Sequence, residues 1–254
     1  LYENAQVRRD HTATIISHGT GMKKMLLVNG MGITEITPVT KFMAHLPLVH
    51  LNHKPDSALV ICFGMGTTFR SLMTWGLSAV RAVELVPSVK EAFEFYHSDA
   101  KNVLALPNGK VIIDDGRRFL QRTEERFDVI TLDPPPPVEA AGSSLLYSRE
   151  FLALVKTRLK KGGILQHWFP GGDERILVSI ASEIKKAFPY VKMFRSIDDW
   201  GYHFLASEVP LANIESKEFI SKLPEAAKVD LMEWAQGRSI EEYTSSMLSK
   251  GLDF

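Results

Sequence analysis

Ser57-Ala58-Leu59-Val60-Ile61-Cys62-Phe63-Gly64-Met65-Gly66-Thr67-Thr68 joins an unbroken apolar run to a turn with two glycines spaced by one. A short run with no polar alternation reads as a strand buried on both faces. Glycine in the turn lets the backbone bend tightly and lets a ligand approach it closely. The third glycine of the dinucleotide fingerprint would fall at Phe69, so G-x-G-x-x-G is incomplete and a pyrophosphate fits poorly. A plain strand-to-helix turn is the alternative reading.

The same unit repeats downstream. Apolar runs at 79–83, 111–113, 127–132 and 164–168 alternate with helical patterns reaching about 77, at 87–96, from 116, at 148–159 and at 174–188. Such alternation predicts a doubly wound, Rossmann-like α/β fold, a parallel sheet covered on both faces. Runs at 191–195 and 202–206 are linked by residues 196–201, too few for a helical crossover, so those strands are expected antiparallel. A mostly parallel sheet ending in an antiparallel hairpin resembles the S-adenosylmethionine (SAM) methyltransferase fold. Upstream, residues 11–29 read as two strands around Gly19-Thr20-Gly21, and residues 38–50 as a short helix. The expected division is an N-terminal β-hairpin domain with a helix over 1–54, a nucleoside-binding core over 55–208, and a polar helical appendage over 209–254.

Thirty basic residues balance thirty acidic ones across 254 residues, so no net field draws nucleic acid or an anionic membrane. A small neutral or cationic ligand suits this balance better than a polyanion. No apolar stretch approaches the ~20 residues that span a bilayer. A single cysteine, Cys62, cannot form an internal disulfide and fits a reducing compartment, so a cytoplasmic setting is expected. The chain starts at Leu1 with no charged-then-apolar leader, and reads as a processed product or a part of something longer, with a membrane portion as one candidate for the rest.

In open α/β sheets ligands bind beyond the carboxyl ends of the strands. Glu84, followed by Leu85, ends the second core strand 18 residues after Gly66. A carboxylate there can accept both ribose hydroxyls, each charge-assisted bond being worth ~1.5–3 kcal/mol. A surface ion-pair glutamate is the alternative. Asp114-Asp115-Gly116 ends the third strand, where a carboxylate can accept from an adenine amine while the glycine admits the base. Asp115 can equally cap the next helix, and the two roles are compatible. Acidic ends on two consecutive strands with a loose glycine turn favour a sulfonium nucleoside over a nicotinamide dinucleotide.

The fourth strand ends in Asp133, followed by four prolines, 134–137. Proline holds the loop extended and removes donors, which fixes where Asp133 points. A carboxylate beside the transferred carbon can orient an amine and accept its proton. A rigid connector is the alternative. Gly142-Ser143-Ser144 reads as a flexible loop. His45, His50 and His53 lack a cysteine or carboxylate cluster, so no metal is expected.

Taken together, these residues resemble the spermidine synthase family, the polyamine aminopropyltransferases. The strongest likeness runs from Val111 to Gln166, through Asp115-Gly116, Phe127-Asp128-Val129-Ile130, Asp133, Ser144-Leu145, Phe151 and Lys161-Gly162-Gly163-Ile164-Leu165. It extends upstream through Val83-Glu84, Arg70, Ala44-His45-Leu46-Pro47-Leu48 and Leu27-Val28-Asn29-Gly30, covering roughly residues 1–206. The resemblance implies an N-terminal β-domain before a methyltransferase-like core, homodimers, and aminopropyl transfer from decarboxylated SAM to an amine. It implies ribose binding by Glu84, adenine binding by Asp115, catalysis by Asp133, a turn at Gly64 and Gly66, and cofactor contact at His11. Similar domains also occur behind membrane spans in bacterial proteins.

Departures bear on the acceptor. Met65 stands where the family has the aspartate that holds the aminopropyl ammonium, and Pro136 replaces a second aspartate that grips the far amine. Val39-Thr40-Lys41 replaces a Tyr-x-Glu segment. Two lost carboxylates and an added Lys41 weaken the attraction for a polyamine at those positions. Three functions follow: an aminopropyltransferase with an unusual amine acceptor, a methyltransferase using SAM through Asp133-Pro134-Pro135, or a non-catalytic nucleoside-binding module.

Overall fold

The computed structural model describes residues 3–135 and 141–252. It opens with an antiparallel four-stranded sheet in sequential order, β1 (Gln6–Arg9), β2 (Thr14–His18), β3 (Met25–Val28) and β4 (Met31–Glu35). The hairpin read around Gly19–Gly21 is thus the middle of a larger sheet. Its outer strands, Gln-Val-Arg-Arg and Met-Gly-Ile-Thr-Glu, carry too few apolar side chains to announce themselves.

Helix α1 (Val39–His50) is buried nearly all round. The core then follows as β5 (Ser57–Ile61), α2 (Thr67–Met73), β6 (Ala79–Glu84), α3 (Pro87–Glu91), α4 (Phe93–Tyr96), α5 (Ala100–Ala105) and β7 (Gly109–Ile113). After it come α6 (Gly116–Arg122), β8 (Phe127–Leu132), α7 (Ala141–Leu145), α8 (Arg149–Arg158), β9 (Leu159–Phe169) and α9 (Glu174–Ala187). The chain closes with β10 (Tyr190–Arg195), β11 (Tyr202–Ser207), α10 (Ser216–Lys222), α11 (Glu225–Met232), α12 (Ile240–Leu248) and β12 (Gly251–Leu252).

The second sheet has eight strands in the order β12-β10-β11-β9-β8-β5-β6-β7. Strands β5 to β9 pair in parallel, and β11 pairs antiparallel with both β9 and β10, as the short 196–201 link requires. The chain runs outward from β5 through β6 to β7 and then returns to β8 on the other side of β5. That reversal makes the carboxyl ends of β5 and β8 the switch point of the sheet, the place where open α/β sheets bind ligands.

Both faces of the sheet are covered. One packs against α1, α2 and the C-terminal helices through Phe42, Phe69, Phe93, Phe219 and Tyr243. The other packs against α6, α8 and α9 through Phe119, Phe151, Ile180 and Ile184. Each such ring or aliphatic side chain stabilises the fold by ~1.5–3 kcal/mol on burial. The N-terminal sheet is pinned to the core by the Tyr96 hydroxyl, which donates to Ser17 Oγ at 2.7 Å. Asp10 Oδ2 adds to this by accepting the Ser88 amide at 2.7 Å.

The C-terminal segment is more than an appendage. The Lys41 side chain is 0% exposed and donates to Asp230 Oδ1 at 2.8 Å and to Glu233 Oε2 at 2.7 Å. Arg70 joins the same carboxylates, at 3.0 Å and 2.6 Å. Trp75 has only a donor on its ring and gives it to His45 Nδ1 at 2.9 Å, which leaves His45 Nε2 to donate to Asp230 Oδ2 at 2.8 Å. Burial works against the charge on Asp230, yet His45 and Lys41 hold its carboxyl well below the usual range. The expectation that Lys41 opposes a polyamine is therefore revised, because two carboxylates neutralise its charge.

Candidate active site

Four strand ends are knitted into one rim by backbone hydrogen bonds. The amide of Asp133 donates to Ile61 at 3.3 Å, that of Cys62 to Val83 at 3.0 Å, and that of Asp114 to Glu84 at 3.0 Å. Register between parallel neighbours thereby sets the spacing of the acidic residues the sequence singled out.

Glu84 closes β6 and turns inward. Its Oε2 accepts the amides of Phe63 at 3.0 Å and Gly64 at 3.3 Å, and its Oε1 that of Val86 at 2.9 Å. Burial raises its pKa, against the pull of those three amides. One carboxylate thus shapes the glycine turn and keeps lone-pair capacity on Oε1 for a hydroxyl. Gly64 and Gly66 sit at φ of 53° and 80°. A Cβ on Gly66 would come within 2.4 Å of the Phe93 ring, so both conformation and space demand glycine there.

Asp115 caps α6, its side chain accepting the Arg118 amide at 2.8 Å. It is exposed at the rim. Asp114 is spoken for by Arg118, which approaches it with both Nε and Nη2. Gly116 opens the helix, and a Cβ there would lie 2.4 Å from Ile61 Cγ2. Leu85 and Ile113 flank the two acidic ends and are 54% and 42% exposed. His11 is exposed in the bend that Asp10 pins to α3, just past the Glu84 strand end.

Asp133 is half-buried, and its carboxylate takes no hydrogen bond from any described residue. Burial alone pushes its pKa up to about 7. A carboxyl tuned near neutrality is what a general base at physiological pH requires. Met65 is 4% exposed and packs in the core, so an apolar side chain fills its place in the turn. Pro136 lies outside the described residues. Gly142–Ser144, read as a loop, form part of α7, and Ser143 Oγ donates to the Pro135 carbonyl at 2.6 Å.

The sequence reading missed how central Cys62 is. Burial, followed by the charges of Glu84, Asp133 and Asp115, raises its thiol well above the ordinary range, so all three carboxylates lie around it. It holds φ of 73°, a left-handed conformation that costs a side-chain-bearing residue strain. The signal was there: a non-glycine directly before a glycine turn. His45, His50 and His53 do not converge, each pairing separately with Asp230, the Leu46 carbonyl and Asp128. No group of three metal-binding side chains occurs among the described residues.

Residues 37–197 match the spermine/spermidine synthase domain. The chain belongs to that family. A polyamine aminopropyltransferase of Sulfurisphaera tokodaii is 28% identical over 80% of this chain and 70% of its own length. Polyamine aminopropyltransferase 2 of Hyperthermus butylicus is 30% identical over the same shares. The fold agrees with a spermidine synthase solved in complex with the transition-state analogue AdoDATO. That match has a TM-score of 0.75 over 95% of this chain and 84% of the other, at 17% identity. The spermidine synthase of Thermotoga maritima gives a TM-score of 0.72 over 95% and 83% of the two chains, at 18% identity. This family of transferases thus shares both the parallel sheet and the β-domain before it. No described helix is long and apolar enough to cross a membrane.

Proposed function

We propose that this chain transfers an aminopropyl group from decarboxylated SAM to an amine. The observation that carries the reading is the clustering of Glu84, Asp115 and Asp133 around Cys62 at the sheet's switch point. Glu84 Oε1 receives a ribose hydroxyl, Asp115 the adenine amine, and Leu85 with Ile113 covers the purine. Gly64 leaves room for the ligand to lie against the backbone, Gly66 and Gly116 seat the turn and the start of α6 against Phe93 and Ile61, Asp114 is held aside by Arg118, and His11 stands beside the rim.

The acceptor nitrogen attacks the propyl carbon next to the sulfonium. A C–N bond forms, the C–S bond breaks, and its electron pair returns to sulfur, leaving a neutral thioether nucleoside. The proton lost by the nitrogen passes to Asp133, whose raised pKa makes it a competent base near neutrality. No metal enters this scheme. The setting proposed is the cytoplasm, with a small-molecule amine as acceptor and a homodimer as the assembly.

Buried Met65 favours a second reading, SAM-dependent methyl transfer, because an apolar side chain offers no counter-charge to an ammonium without a neighbouring carboxylate. Calorimetry with both nucleosides separates the two. Aminopropyl transfer requires tighter binding of the decarboxylated form and a radiolabelled propylamine product. Preference for the parent compound with methylated product would establish the second.

A further inference from the structure

Glu84 is not the only group that holds the glycine turn. The Gly66 amide donates to the Phe63 carbonyl at 2.8 Å, which closes the turn before α2 begins at Thr67. His97, directly after α4, touches both ends of this unit. Its Nε2 lies 3.0 Å from the Thr67 hydroxyl, within hydrogen-bond distance. Its ring meets that of Phe93 edge to face, with 5.3 Å between centroids. Phe93 meets Phe63 in the same manner at 5.1 Å and lies so close to Gly66 that no Cβ fits there. Phe63, which opens the turn, and Thr67, which ends it, thus converge on His97, one through rings and the other through a hydrogen bond.

The C-terminal segment backs His97 in turn. Trp234, two residues after α11, stacks on it with 6.2 Å between centroids and 22° between planes. The Lys41 ammonium lies 4.2 Å from the Trp234 centroid. Glu233, the residue before, pairs with Lys41 and with Arg70. Arg70 belongs to α2, and its amide donates to the Gly66 carbonyl at 2.8 Å. Residues 233 and 234 therefore reach the turn by two routes.

Thr67 and His97 are 3% and 5% exposed, so bulk water does not stand in for the bond between them. Burial, then the charge of Arg70, lowers the His97 pKa to about 4. The ring is neutral at pH 7 and offers one donor and one acceptor. Losing either partner leaves a buried polar atom unsatisfied beside the turn. A binding constellation has to be held within about 0.5 Å of its productive geometry, so a group that never touches the ligand can still set its affinity.

We propose that His97 is a positioning residue for nucleoside binding, acting on the glycine turn through the Thr67 hydroxyl, and that Trp234 holds it there. The C-terminal segment then belongs to the binding apparatus although none of it lies at the rim. The inference rests on the reading that a nucleoside lies at this turn.

The test is calorimetry with the thioether nucleoside, well below the melting temperature of every variant. Thr67→Val and His97→Phe should each weaken binding about fivefold, and the double variant no more than the larger single loss, because both remove one bond. Thr67→Ser and His97→Gln keep a polar partner and should stay within about twofold of native. Trp234→Leu should weaken binding about threefold, and Trp234→Phe, which keeps a ring against His97, should recover most of that loss. Residues that only pack the interior would lower the melting temperature of Thr67→Val and leave the folded protein with native affinity, and that result overturns the proposal. Losses that add in the double variant, or no recovery with serine and glutamine, overturn it as well. If the native protein binds no nucleoside, it is the nucleoside reading that fails, and hydrogen exchange at the Gly64 and Gly66 amides decides the positioning. Faster exchange in Thr67→Val and His97→Phe, reversed in Thr67→Ser and His97→Gln, sustains it; native protection in all four removes it.

Discussion

Glu84 Oε2 accepts the backbone N–H of Phe63 at 3.0 Å, so the residue proposed to hold the ribose also holds the turn beside it. Glu84→Gln puts an amide donor against amides that also donate. Nucleoside affinity should fall by tenfold or more, ~1.4 kcal/mol per tenfold, and the turn should loosen. Calorimetry with the thioether nucleoside measures the first effect and hydrogen exchange at Phe63 and Gly64 the second. Native affinity in this variant would remove Glu84 from the site.

Asp115 carries two separable tasks. Asp115→Ala removes the cap of α6 and should cost about 1 kcal/mol of stability. Asp115→Asn keeps the capping oxygen, so its melting temperature should stay near native while nucleoside affinity drops several-fold. If the asparagine variant binds nucleoside as tightly as the native protein, capping is all that Asp115 does.

Asp133 makes a pH prediction of definite sign. Its folded pKa of about 7 lies above the unfolded value near 4, so the folded state binds more protons between those limits. Stability from this group is greatest below pH 4 and is lost as pH rises toward 7. Asp133→Asn should therefore raise the melting temperature at pH 8 and leave it nearly unchanged at pH 4. Transfer rate should climb through an apparent pKa near 7 in the native enzyme and collapse across the whole profile in the variant.

Cys62 holds a left-handed backbone with a side chain attached. Glycine there relieves strain of about 1 kcal/mol, partly offset by lost packing of the thiol. Scanning calorimetry should find Cys62→Gly melting at or a few degrees above native, with nucleoside affinity within threefold. A fall of several degrees would mean the conformation is not strained.

Lys41→Met leaves Asp230 and Glu233 with Arg70 as their remaining strong cation. Breaking a buried pair from one side costs ~3–5 kcal/mol, which should appear as a lower urea midpoint at constant slope. Because the Asp230 carboxyl is held low, its share is present above pH 4 and is lost as pH falls further. The difference between native and variant should therefore narrow in acid.

The core and the rim were legible because their signals are local. Each buried strand is an apolar run, and Gly64, Gly66, Glu84, Asp115 and Asp133 stand directly after such runs. The early part of β9 was not, since Lys160, Lys161 and the two glycines after them look like a turn although they lie within the strand. Strands β1 and β4 were hidden by polar residues on a thin sheet. The partners of Lys41 lie 189 and 192 positions away, a separation no local pattern encodes.

That separation has a consequence for how the protein is made. A ribosome exposes the first helix long before it exposes its counter-ions, so a nascent chain carries a naked ammonium on a surface that later becomes interior. Closure must wait until residues 230 and 233 have emerged. Fragments released ahead of residue 230 will present that helix, greasy on every side, to whatever chaperone or neighbour is at hand.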